Sequence, residues 1–197
     1  MSADDRVVFF DLETGGLEPG KHPVIQFAGI AVDDLWEEVE ALELKIAFDI
    51  AKAEPAALAV NHYSAEAWAE AIPAAAAVAQ IGNFLRRHST VRKLSKAQKP
   101  YSVARVAAHN ARFDCDHLGA FFKARGEFCP AALYEPLDTL ALARWVTFRE
   151  AGPGPVDHKL GSLCAWLGIE YGNAHDALAD VRATIQVARI LSGRVSL

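Results

Sequence analysis

Apolar positions fall first in short unbroken runs and later at helical spacing. Val7-Val8-Phe9-Phe10 is continuous, as expected for a strand buried on both faces. Thr14-Gly15-Gly16 then interrupts with turn residues. A second run spans Val24 to Val32, and Val39 to Phe48 alternates with one irregularity. Turns containing Gly or Asp separate the three, which predicts an antiparallel meander. Helical patterns follow. Pro55 to His62 opens on a proline suited to a first helical position. Ser64 is placed to cap a further short helix, and Pro73 to Leu85 is Ala-rich and helical.

Val103 to Ala108 is again strand-like, and Asn110 to Arg125 reads as a helix packing through Phe113, Leu118, Phe121 and Phe122. Leu137 to Phe148 is another helix. Lys159 to Leu167 carries Leu160, Leu163, Cys164 and Leu167 on one face, and His175 to Leu191 repeats the pattern with Leu178, Val181, Ile185 and Ala188. Residues 151–156, rich in Gly and Pro, form an exposed loop before the last two helices. Strands and helices mix throughout, which predicts an α/β layered fold with a central mixed sheet. There is no internal repeat, and 197 residues suit one domain spanning 1–197.

Composition narrows the class. Hydrophobic residues make up 52% and charged residues 23%, the balance of a globular chain rather than a disordered one. No apolar stretch approaches the ~20 residues needed to cross a bilayer, and the N-terminus lacks the basic-then-apolar pattern of a secretory signal. Cys115, Cys129 and Cys164 are widely spaced and odd in number, which reads as apolar thiols in a reducing cytoplasm. The net charge of −5 does not advertise nucleic-acid binding. A site that gathers carboxylates around divalent metals also makes a protein acidic, however, and the metals then carry the positive charge.

Asp11 and Glu13 follow the first buried strand, and residues two apart on an extended chain project to the same side. Asp114 lies shortly after the strand ending at Ala108. Asp180 lies in the last helix, with His175 five residues before it. Phosphodiester cleavage needs an activated nucleophile and a stabilised leaving oxygen, and two Mg²⁺ ions ~4 Å apart supply both. Hard cations take oxygen ligands, so carboxylates suit them better than thiols or clustered imidazoles. A neutral imidazole titrating near working pH can accept the proton of the attacking water, and His175 is the candidate base.

Three segments carry a family resemblance. Phe10-Asp11-Leu12-Glu13-Thr14-Gly15-Gly16-Leu17 resembles the first motif of the DnaQ-like 3′–5′ exonucleases, the superfamily of the proofreading subunit of bacterial replicative polymerase and of RNase T. Ala108-His109-Asn110-Ala111-Arg112-Phe113-Asp114 resembles the second motif, and His175-Asp176-Ala177-Leu178-Ala179-Asp180 the third. The resemblance implies an RNase H-like fold with a mixed five-stranded sheet flanked by helices. It implies that Asp11, Glu13 and Asp180 hold one metal, Asp11 bridging to a second that Asp114 supports. The ions would be two Mg²⁺ or Mn²⁺. His175 places the chain in the branch that uses histidine as base. Substrate contacts are expected at Thr14, Gly15, Leu17 and Asn110. Two departures stand out: Thr14-Gly15-Gly16 replaces the usual Thr-Thr-Gly, and Gln26 stands where an acid is common.

Plainer roles compete at single positions. Asp114 could be a first-turn helix acid, Asp176 reads as a helix-start acid, and Asn110 is either a helix cap or a substrate contact. Leu17 is either a wedge against terminal bases or a buried staple. His62, His117 and His158 read as surface or packing residues. The stretch from Arg86 to Arg105 holds seven Lys or Arg and no acid. It is either a solvated, mobile loop or a basic flap along a phosphate backbone. The expected activity is hydrolysis of the terminal phosphodiester of a single-stranded or frayed 3′ end of DNA or RNA, releasing 5′-mononucleotides. The alternatives are an exoribonuclease like RNase T and a non-catalytic binding module on the same fold; the module would normally lack one of the acids present here. No membrane partner is expected. The short tail after the last helix gives no tether to a polymerase, and a homodimer stays open.

Overall fold

The computed structural model describes residues 5–171 and 176–195. The meander is as expected: β1 (Val7–Thr14), β2 (Val24–Val32) and β3 (Glu38–Lys45) pair antiparallel in sequence order. A single 3₁₀ turn, Ile50–Lys52, leads to α1 (Pro55–Val60) and α2 (Ala74–Arg87). Then come β4 (Ser89–Leu94), β5 (Pro100–Ala108) and α3 (Ala111–Lys123). The chain continues through β6 (Leu137–Asp138), α4 (Thr139–Arg149), α5 (Leu160–Leu167) and α6 (Ala177–Arg194). The sheet order is β3-β2-β1-β5-β4, with β5 parallel to β1 and the two-residue β6 beside the end of β5. This is the mixed sheet flanked by helices that the sequence implied, with a short sixth strand added.

Alternation along β1 divides the core. Val8, Phe10 and Leu12 face α2 and α3, and pack with Phe27, Phe84, Leu118 and Phe122. Val7 and Phe9 face the opposite side and pack with Ala177, Val181, Ile185 and Ala188 of α6. Asp11 and Glu13 continue that odd-numbered series, so they emerge on the face of the sheet that α6 covers. A third cluster joins α4, α5 and α6 through Ala143, Leu163, Cys164, Val187 and Leu191. The three cysteines are free thiols, as expected, and burial pushes them up to between about 11 and about 12.

Several local expectations are corrected. The segment after Ser64 is a turn rather than a helix. The Ser64 hydroxyl does accept the Ala67 N–H at 3.0 Å, but the Trp68 indole N–H donates to the Ile25 carbonyl and draws the chain onto the sheet. Leu137 and Asp138 are strand, so α4 begins only at Thr139, with Asp138 as its cap. The basic stretch is not a mobile loop. It holds the end of α2 and the β4–β5 hairpin. Its turn lies before β5 begins, while the carboxylates lie beyond the level of Phe9, which pairs with Ala107. Along β5 the seven steps from Pro100 to Ala107 span roughly 23 Å, so the hairpin tip sits at the far end of the sheet from Asp11. Lys93 there is paired with Glu135 and Arg87 with Glu40.

Phe84 is fully buried and meets Phe27 edge-on with ring centroids 6.4 Å apart. Phe84→Ala should lower unfolding stability by about 3–5 kcal/mol in chemical denaturation; a loss under about 1 kcal/mol would show that this layer repacks freely.

Candidate active site

β1 and α6 together build an acidic cluster. Each of Asp11, Glu13 and Asp180 offers an oxygen lying within 4.8 Å of the other two. Asp180 is in the first turn of α6, and Asp176 caps that helix by accepting the Ala179 N–H at 3.2 Å. Asp176 is thus the helix-start acid that its position suggested. Because Ala177 and Val181 dock on the odd face of β1, Asp180, one residue before Val181, reaches the carboxylates of the same face.

Asp114 arrives from the other side of the sheet. It lies on the buried stripe of α3 with Ala111, Cys115 and Leu118. The parallel pairing of β1 with β5 runs out at Phe9 and Ala107. Beyond it, the Leu12 N–H donates to Asp114 Oδ1 at 3.1 Å. Asp114 is therefore tied to the residue between Asp11 and Glu13.

Four acids at such range resist ionisation together. Burial, and then the negative charges of Asp114, Glu13 and Asp180, hold Asp11 well above the usual carboxylate range. Burial followed by the charge of Asp180 pushes Glu13 up to about 7. Burial pushes Asp114 up to about 8 despite the Leu12 hydrogen bond, which works the other way. Oxygen-only donors that repel one another are the chemistry a divalent hard cation relieves, and three carboxylates within 4.8 Å fit such an ion.

The loop after Glu13 is braced from several sides. The Thr14 hydroxyl donates to the Gly16 carbonyl at 2.8 Å, and the Asn61 side chain donates to the Thr14 carbonyl at 2.8 Å. The Gly15 N–H donates to Pro23 O, and Gly15 O accepts from the Glu54 N–H. A Cβ at Gly15 would lie 2.8 Å from the Ala53 Cβ, which explains why Gly replaces Thr here. Gly16 has φ of +156° and stands over the His22 ring. Leu17 is 76% exposed, so it is no buried staple. With Val60, Asn61 and Phe113 it lines a recess of about 340 Å³ that also touches Glu13. A larger cavity of about 470 Å³, between the β4–β5 hairpin and the end of α3, includes none of the four acids.

Other expected positions are placed less directly. His175 lies outside the described residues. Asn110 occupies the position before α3 with φ of 65°, yet its side chain makes no capping bond, so the cap role is not realised. Its backbone N–H donates instead to Asp138 Oδ1, which also accepts from Leu140. His109 is held between the Thr139 hydroxyl and the His158 carbonyl. Gln26 pairs opposite Glu13 and donates to Glu43 Oε1 at 2.8 Å, so a neutral amide stands beside the cluster. Sequence reasoning missed Asn61 and Tyr171. The Tyr171 hydroxyl donates to Asp180 Oδ1 at 2.7 Å; a lone tyrosine or asparagine in a loop carries no periodic signal.

Metal-free stability follows from these shifts. Glu13 and Asp114 have ordinary values of 4.5 and 3.8, near which the unfolded chain releases their protons; the folded chain keeps them until about 7 and about 8. Between those limits the native state binds more protons, so stability falls as pH rises. The melting temperature of metal-free protein should drop from pH 5.5 to 8, and Mg²⁺ should raise it more at pH 8. A metal-free melting temperature that climbs over this range would contradict the assignment.

A sequence model of the exonuclease family, RNase_T, matches residues 8–188. No curated protein matches the chain. Among solved structures, the zinc-bound form of the E. coli exonuclease I–single-stranded DNA complex superposes with a TM-score of 0.77 at 23% identity, over 97% of this chain and 41% of that one. E. coli exonuclease I with a dT13 oligonucleotide gives 0.74 at 24%, over 96% and 41%. A product-bound exonuclease I gives 0.74 at 22%, over 96% and 44%. At these identities the likeness is one of fold, and the chain spans about two fifths of the length of those structures. Among the described residues no helix is long and apolar enough to cross a membrane. Matched through almost its whole length and bearing the DnaQ-like motifs in order, the chain belongs to the RNase_T exonuclease family.

Proposed function

We propose that the chain is a 3′–5′ exonuclease that hydrolyses the terminal phosphodiester of a single-stranded nucleic acid with the help of two divalent metal ions. The observation that carries this reading is the meeting of Asp11, Glu13 and Asp180 within 4.8 Å, with Asp114 tied to the backbone between the first two. Asp11, Glu13 and Asp180 would hold one ion, and Asp11 with Asp114 the other. When bound, Mg²⁺ or Mn²⁺ would supply positive charge for the scissile phosphate and its leaving oxygen.

The chain's own groups do the rest. The recess beside Glu13 receives the terminal nucleoside, with Leu17, Val60 and Phe113 giving apolar surface and Thr14 and Gly16 shaping its wall. Exposed Leu17 suits a wedge against the terminal base. His175 takes the proton of a water that attacks phosphorus in line. The P–O3′ bond breaks, leaving a 3′-hydroxyl on the shortened strand and a 5′-mononucleotide in the recess. An open end is required because the recess holds the terminal residue only. The oligonucleotide complexes of the structural neighbours favour DNA as the substrate.

His175→Ala should retain metal binding and lower kcat by about 10²–10⁴-fold; hydrolysis at the wild-type rate would remove His175 as base. Asp180→Asn should lose Mg²⁺-dependent release of nucleotides from 5′-labelled single-stranded DNA. Faster digestion of a matched RNA would reassign the substrate, and no metal-dependent release from either would overturn the activity.

A further inference from the structure

Asp180 differs from its two partners in how it is held. Asp11 and Glu13 sit on a strand paired along its length with β2, so their direction is fixed by the backbone. Asp180 comes from a helix, and an aspartate there can choose among several side-chain rotamers. Two other carboxylates lie within 4.8 Å of it, so repulsion favours turning it away. The Tyr171 hydroxyl opposes that turn with its 2.7 Å hydrogen bond to Asp180 Oδ1.

The tyrosine is itself anchored. Its ring packs onto the cluster formed by Leu163, Cys164 and their neighbours on α4, α5 and α6. The ring lies against α5 at Gly161, where an added Cβ would stand in ordinary contact 3.4 Å from Tyr171 Cε1. The phenol therefore links one carboxylate of the site to the packed body of α5. A carboxylate has two oxygens and about four acceptor positions, so one bond from a phenol leaves capacity to ligate an ion.

We propose that Tyr171 is a positioning residue for the metal site: its hydroxyl holds the Asp180 carboxylate facing Asp11 and Glu13, so that a divalent cation meets a preformed cradle. The proposal rests on the metal-binding reading above. Hydrogen bonds that orient ligands in this way are typically worth about 10–100-fold in metal affinity or activity.

The test is Mn²⁺ titration of metal-free protein by calorimetry, comparing wild type with Tyr171→Phe, beside metal-free thermal unfolding of both. Tyr171→Phe keeps the ring and its packing, so the metal-free melting temperature should change little. Its Mn²⁺ dissociation constant should rise about tenfold or more. The Mg²⁺ concentration for half-maximal cleavage should rise in parallel, with kcat at saturating metal little changed. Equal Mn²⁺ affinities would overturn the proposal. So would a loss confined to kcat at saturating metal, which would put the hydroxyl on the reacting atoms. A wild-type protein that binds no Mn²⁺ would overturn the metal reading itself. A second readout leaves the residue in place: with 3-fluorotyrosine at position 171, the ¹⁹F resonance should move as Mg²⁺ fills the site. A resonance unmoved at saturating Mg²⁺ would also overturn the proposal.

Discussion

The candidate site depends on one packing contact, the docking of α6 onto the odd-numbered face of β1. Val7 and Phe9 bury themselves against Ala177, Val181 and Ile185. Burying side chains of this size is worth roughly 1.5–3 kcal/mol each for the larger ones, enough to offset the repulsion it creates a few residues further on. The same alternation that turns Val7 and Phe9 toward the helix turns Asp11 and Glu13 toward it. The same helical stripe that presents Val181 presents Asp180. Hydrophobic burial thus forces like charges together, and burial first, then the neighbouring negative charges, raises Asp11, Glu13 and Asp114.

The surroundings limit how that tension can relax. Asp114 grips the Leu12 N–H where β5 has stopped pairing, and Tyr171 grips Asp180. Below them the Thr14–Gly16 loop is pinned by Asn61, Pro23 and Glu54. These contacts hold the acids together beside a recess that Glu13 lines with Leu17, Val60 and Phe113. A cation would relieve that tension, and under the proposed function the recess would take the terminal nucleoside beside it.

Much of this was legible in the sequence because it rests on periodicity. Short unbroken apolar runs identified β1 and β2, alternation identified β3, and helical spacing identified α3, α5 and α6. The three motifs pointed to Asp11, Glu13, Asp114 and Asp180. What stayed hidden rests on contacts between distant segments. β4 reads as a basic loop because an edge strand needs little apolar sequence, and its neighbour β5 consequently looked three residues shorter. The turn after Ser64 has a helix cap but is captured by Trp68 bonding across the sheet. Asn110 read as either a cap or a substrate contact; its left-handed backbone and the Asp138 carboxylate take over the capping junction. Asn61 and Tyr171 act through single hydrogen bonds that no spacing announces.

Anomalous diffraction from a crystal soaked in Mn²⁺ tests the central claim most directly. The account predicts a peak enclosed by Asp11, Glu13 and Asp180, with a second near Asp11 on the side of Asp114. Manganese bound only at other surfaces, with the four carboxylates unligated, would contradict it.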